Sequence, residues 1–132
     1  MTDTHKNKLN SFFLKGEIKK FNDTYIVKDN TTLNNLVVSS TLLYCNQSTS
    51  GHYHKGQEEV YFFLSGIGEM ELDKDKFKVS PGDIVLIEDG VFHRVHNTSD
   101  TDLYFVCVFD GNGCLILKEP DAFDKAPNAV ID

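Results

Sequence analysis

The chain has 132 residues, 40% of them hydrophobic and 25% charged, with a formal charge of −7. That composition is one globular domain's worth and excludes a disordered chain. An acidic surface repels phosphate backbones, so no nucleic-acid partner is expected. No apolar run reaches the ~18 residues of a membrane span. The first residues carry lysines but no apolar centre of a secretory signal, so no membrane is expected and the cytoplasm is the expected compartment.

Residues 1–22 read as an arm, basic through Lys6, Lys8, Lys15, Lys19 and Lys20 and expected to be loosely structured. Beyond it no segment keeps a helical apolar period. Short runs rich in β-branched and aromatic residues alternate with turn residues instead. They predict strands at Tyr25–Lys28, Leu36–Cys45, Gly51–His54, Glu59–Ser65, Gly68–Asp73, Lys76–Val79, Ile84–Glu88, His93–Asn97, Leu103–Phe109 and Cys114–Lys118. Residues 23–118 are therefore expected to form an all-β sandwich or barrel, and 119–132 an irregular tail, where Pro120 and Pro127 oppose a long helix.

Alternation assigns faces. Met70 and Leu72 should point inward, as should Phe77 and Val79. Val60–Leu64 and Leu103–Phe109 are apolar on both faces, which calls for a second covering layer, either another sheet or another subunit. A homodimer is the expected assembly. The three cysteines, Cys45, Cys107 and Cys114, are odd in number and lack C-x-x-C spacing, so neither a disulfide framework nor a cysteine zinc site is expected. Cys107 sits in an apolar run and reads as a small core residue.

The segment Gly51-His-Tyr-His-Lys-Gly-Gln-Glu-Glu-Val60 carries the chemistry. On a strand, His52 and His54 share one face about 7 Å apart along the backbone, close enough to converge on one ion at bonds of about 2.1 Å. Glu59 has the opposite parity but joins that face if the chain turns at Gly56, and Tyr61 and Phe63 then point inward with it. If Glu58 were the ligand instead, Val60 and Phe62 would point inward. His93 opens a later strand after the Asp89-Gly90 turn and shares a face with Val95 and Asn97, leaving Arg94 and His96 on the other. Three imidazoles and one carboxylate suit a divalent transition metal and leave an octahedral ion two open positions, as in a catalytic site.

These residues resemble the cupin superfamily. His52, His54, Glu59 and Gly66 fit its first motif, and Gly82, Gly90, His93 and Asn97 fit its second, with 15 residues between Gly66 and Gly82. The resemblance covers about residues 36 to 110 and implies a double-stranded β-helix barrel, usually dimeric, with the metal inside. Two positions depart from the pattern: Asn46 stands at the first motif's leading glycine and Glu88 at the second motif's proline.

The expected cofactor is one divalent ion (Mn, Fe, Ni, Zn or Cu) on His52, His54, Glu59 and His93, with Glu59 also able to act as base. Tyr61 could donate to a substrate oxygen, and Phe63, Met70 and Phe92 could line the pocket. The expected substrate is a small polar molecule. Gly51–Met70 looks most like small cupins grouped with mannose-6-phosphate and glucose-6-phosphate isomerases, so a sugar or sugar-phosphate isomerase is the preferred reading. A cupin dioxygenase and a non-catalytic small-molecule binder are the alternatives. Phosphate recognition would want a nearby cation; Lys55 and Arg94 are the close ones in sequence, and Arg94 should face outward.

Overall fold

The computed structural model describes residues 5–111 and, as backbone, 115–118, with His54 also described as backbone only. Among these residues there is no helix. The strands in chain order are β1 (Glu17–Phe21), β2 (Tyr25–Asn30), β3 (Leu36–Leu43), β4 (His52–Lys55), β5 (Glu59–Ser65), β6 (Gly68–Leu72), β7 (Asp75–Val79), β8 (Ile84–Ile87), β9 (His93–His96), β10 (Leu103–Asp110) and β11 (Leu115–Lys118). They form a six-stranded sheet in the order β1-β2-β3-β10-β5-β8 and a five-stranded sheet in the order β11-β4-β9-β6-β7. Every pairing is antiparallel. The two sheets make the expected double-stranded barrel.

The inward residues of both sheets meet in one core. In β5, Glu59, Tyr61 and Phe63 are buried while their neighbours are half-buried, which is the period of a pleated strand with one face inside. In β10, Leu103, Phe105 and Cys107 lie inward, opposite Leu43, Thr41 and Ser39 of β3. Phe63, Phe105, Met70, Leu103, Leu43 and Val95 are among the most enclosed side chains. Their rings pack at ordinary aromatic distances: Phe63 lies 5.3 Å from Phe105, and Tyr61 stacks on Phe105 at 5.2 Å.

Two expectations need correcting. The segment expected to be a loose arm carries β1, which pairs with β2 at the sheet edge. Ile18 and Phe21 of β1 are largely exposed, so no alternation announces the strand; main-chain pairing to β2 holds it. Phe77, expected inside, is 38% exposed because β7 is the edge of the smaller sheet. The expectations for Cys114 and for the tail 119–132 lie outside the described residues.

Glycine occupies turns where the backbone turns left-handed, with positive φ at Gly56, Gly66, Gly82 and Gly90. Asn46, at the motif's first glycine position, takes the same conformation at φ 59°. Asparagine is the side chain that tolerates it best, so that departure keeps the turn.

Candidate metal centre

Local contacts bring the site residues together. Thr49 fastens the chain entering β4 onto β9: its N–H donates to the Val95 carbonyl at 2.9 Å and its Oγ1 accepts from the Val95 N–H at 3.0 Å. Its carbonyl accepts from Arg94 Nε at 2.8 Å. This clasp sets His52 directly opposite His93 in register. The start of β9 is fixed from the other side by Asp73, whose Oδ1 accepts from the Phe92 N–H at 3.0 Å and whose N–H donates to the Phe92 carbonyl at 2.9 Å. The loop before β5 is tied to the loop before β9, since Asp89 Oδ1 accepts from the Gly56 N–H at 2.7 Å.

Three of the candidate ligands converge inside the barrel. His52 and His93 come from the smaller sheet and Glu59 from the larger, and all three are buried. Their ligand atoms lie within 4.8 Å of one another. The two rings meet edge to face, 4.6 Å between centroids. His93 Nε2 stands 3.2 Å from Glu59 Oε1.

The hydrogen bonds of the rings decide what they can hold. His52 Nδ1 meets the Ser50 carbonyl at 3.2 Å, and His93 Nδ1 meets the Val91 carbonyl at 3.1 Å. A carbonyl oxygen only accepts, so each Nδ1 carries the hydrogen and each neutral ring keeps its lone pair on Nε2. This tautomer is the one a ligating histidine needs, held by a partner behind the ligand. With His93 neutral, its Nε2 and the Glu59 carboxylate are two acceptors face to face. A cation between them resolves that arrangement, and bonds of about 2.1 Å from each atom fit the gap. The donor set, two imidazoles and a carboxylate, matches a borderline divalent ion.

His54 is placed on β4 with its backbone opposite Ile116 of β11; its side chain lies outside the described residues. Tyr61 lies inside, edge-on to the His93 ring at 6.0 Å. Phe63 and Met70 lie deeper in the core. The Phe92 ring lies against Gly51, beside Arg94. A side chain on Gly51 would put a Cβ 2.3 Å from that ring, so the ring would have to shift to admit one. Asn97 staples a loop, donating through Nδ2 to Leu43, Tyr44 and Thr101 carbonyls and accepting from Ser99.

One arrangement goes beyond the sequence reading. His96 faces outward as expected, but it is not simply solvated: Ser48 Oγ lies 2.7 Å from its Nδ1 and Glu71 Oε1 lies 2.8 Å from its Nε2. Ser48 is 48 residues from His96 in sequence, so only the β-bridge between them could have announced the contact.

The chain is thus a double-stranded antiparallel β-barrel with a buried His/Glu cluster, bridging its sheets, that could hold a metal ion. Residues 45–109 match the family model described as Cupin domain, and the chain is a member of the cupin superfamily. It is 33% identical over 57 residues to an oxalate-binding protein of Thermotoga maritima, covering 43% of this chain and 47% of that protein. It is 29% identical over 100 residues to a glucose-6-phosphate isomerase of Thermococcus litoralis, covering 66% of this chain and 53% of that protein. The matched stretches thus span about half of either relative's length. Among solved structures, a cupin-superfamily sugar phosphate isomerase from Silicibacter pomeroyi superposes with a TM-score of 0.68 at 19% identity, covering 74% of this chain and 67% of that one. At that identity the likeness shows the fold.

Proposed function

We propose that the chain is a metal-dependent enzyme acting on a small, oxygen-rich substrate, with aldose–ketose isomerisation of a sugar as the preferred reaction. The observation that carries this reading is the buried His52–Glu59–His93 cluster with both Nδ1 atoms tied back to carbonyls. His52, His54, Glu59 and His93 would hold one divalent ion. When bound, such an ion supplies Lewis-acid polarisation of a substrate carbonyl.

The chain's own residues supply the rest. The Glu59 carboxylate would take a proton from the carbon bearing the hydroxyl and return it to the neighbouring carbonyl carbon, while the hydroxyl hydrogen passes to the former carbonyl oxygen. Tyr61, whose ring lies beside His93, would donate its hydroxyl hydrogen to a substrate oxygen. Phe63 and Met70 close the interior below and exclude water. No lysine or arginine is among the described buried residues, and Arg94 is engaged with the Thr49 carbonyl. That favours an unphosphorylated sugar over its phosphate ester. The glucose-6-phosphate isomerase likeness supports the reaction class.

The test is elemental mass spectrometry on gently purified protein beside His93→Ala, followed by anaerobic assays of sugar interconversion with Mn or Zn restored. One ion per chain, lost in the variant, with oxygen-independent turnover, is the expected result. Oxygen uptake dependent on substrate would replace isomerisation by dioxygenase chemistry. The likeness to an oxalate-binding protein favours a second reading, a non-catalytic binder of a small dicarboxylate, which predicts tight oxalate binding and no turnover.

We also propose a homodimer. The outer face of β8 and β5 presents Ile84 and Leu86, 58% and 68% exposed, beside Val60 and Phe62. Light scattering should give twice the chain mass, and Leu86→Lys should give the chain mass.

A further inference from the structure

The segment before β1 runs over the outer face of the six-stranded sheet and roofs a cavity there. Tyr104 points outward from β10, and its hydroxyl donates to the Ser11 carbonyl at 2.6 Å. The Phe12 ring stacks over Tyr104 at 6.3 Å, and Leu14 is buried. Beneath this roof is a space of about 370 Å³, at the small end of the roughly 300–1,000 Å³ range of ligand pockets. Leu14, Ile26 and Leu42 give it apolar walls, Ser40 and Tyr104 a polar edge, and Lys28 a cation. It lies on the outer side of the sheet from the His52–Glu59–His93 cluster.

Lys28 is the cation of the lining. Opposite charges facing each other across strands stabilise a sheet, and the smaller sheet pairs Lys76 with Glu71 and Lys78 with Glu69. The cross-strand neighbours of Lys28 are Ile18 and Ser40. No carboxylate is among the described residues that line the cavity. In a chain of charge −7, a cation beside an apolar space with no acid opposite it selects for an anion. Burial also raises the Tyr104 phenol above its ordinary value of 10.0, as expected where water is partly excluded.

We propose that this cavity binds a small apolar carboxylate, its chain against Leu14, Ile26 and Leu42 and its carboxylate on the Lys28 ammonium. The complementarity is specific: apolar walls take the aliphatic or aromatic body, and the single cation fixes the end of the ligand. The roof supplied by Phe12 suits a small molecule more than a strand or helix of a partner.

The test is calorimetric titration of the full chain with sodium decanoate, and with decanol as the uncharged probe. Decanoate should saturate at one per chain. Lys28→Ala should weaken decanoate by roughly tenfold and leave decanol unchanged. Leu42→Trp, which fills the cavity, should abolish the binding of both; Lys28→Ala carries the test if Leu42→Trp fails to fold. Three results would overturn the proposal. They are no saturation with decanoate, an affinity unaltered by Lys28→Ala, and binding that survives Leu42→Trp but is lost in His93→Ala. The last would place the carboxylate at the His52–Glu59–His93 cluster.

Discussion

His93 and His96 stand three positions apart at the two ends of one short strand, and the barrel gives them opposite employment. His93 points inward and is 1% exposed, with Nδ1 on a backbone carbonyl and Nε2 facing Glu59. His96 points outward, and side chains take both of its nitrogens, Ser48 at Nδ1 and Glu71 at Nε2. The difference lies in what holds the ring. A backbone carbonyl ties one nitrogen and leaves the other directed at an enclosed space, so the ring is ready for a ligand. Two side-chain partners use the ring completely, and what remains is a cross-strand clasp. Residue type and exposure alone would not separate a ligand from a clasp; the second nitrogen does.

The largest expected effect is at the inner ring. His93→Ala should remove bound metal, with a loss of affinity greater than the roughly 10–100-fold that follows loss of an outer partner. Added metal should then stop protecting the fold. In the parent chain a metal present at 100 times its Kd should raise stability by about 2.7 kcal/mol, read as a Tm shift of several degrees. Glu59→Gln should cut the affinity in the same sense, because it keeps the shape of the side chain and removes the charge facing His93. If both variants kept stoichiometric metal, His93 would be as fully employed within the protein as His96, and the distinction would collapse.

The outer ring should behave otherwise. His96→Gln removes two hydrogen bonds from a part-buried site, so it should cost about 1–2 kcal/mol of stability and leave the metal content at the parent value. Denaturant unfolding beside elemental analysis checks both at once. Loss of metal in His96→Gln would mean that β9 transmits the outer clasp to the inner ligands.

Much of this was legible in the sequence, for reasons that differ from place to place. Strand alternation placed Glu59, Tyr61 and Phe63 on one face, and His93, Val95 and Asn97 on another, because a buried sheet face leaves a period of two in the residues. The left-handed turns were legible where glycine marks them, at Gly66, Gly82 and Gly90. Asn46 shows the same turn in another residue type. What stayed hidden depends on contacts between distant segments. β1 carries exposed Ile18 and Phe21 and is a strand because β2 offers it an edge. Phe77 alternates correctly but belongs to an edge strand, where the inward face is only partly covered. The Ser48–His96–Glu71 chain joins a loop to two strands, and no local pattern connects them.

The smallest effect probes the rings most finely. Glu71 accepts at Nε2 of His96, so the neutral ring carries its hydrogen there and takes the Ser48 hydroxyl hydrogen at Nδ1. His52 and His93, held from behind by carbonyls, carry theirs on Nδ1. Long-range nitrogen–proton NMR on metal-free protein at alkaline pH should therefore show His52 and His93 in one tautomer and His96 in the other. Ser48→Ala should cost only about 0.5–1.5 kcal/mol, and it should leave the His96 tautomer unchanged because Glu71 still fixes it. A His96 ring that switches tautomer in Ser48→Ala would show that the serine, not the glutamate, sets its state. The clasp would then rest on the hydroxyl, as the inner rings rest on their carbonyls, and the two ends of β9 would differ only in exposure.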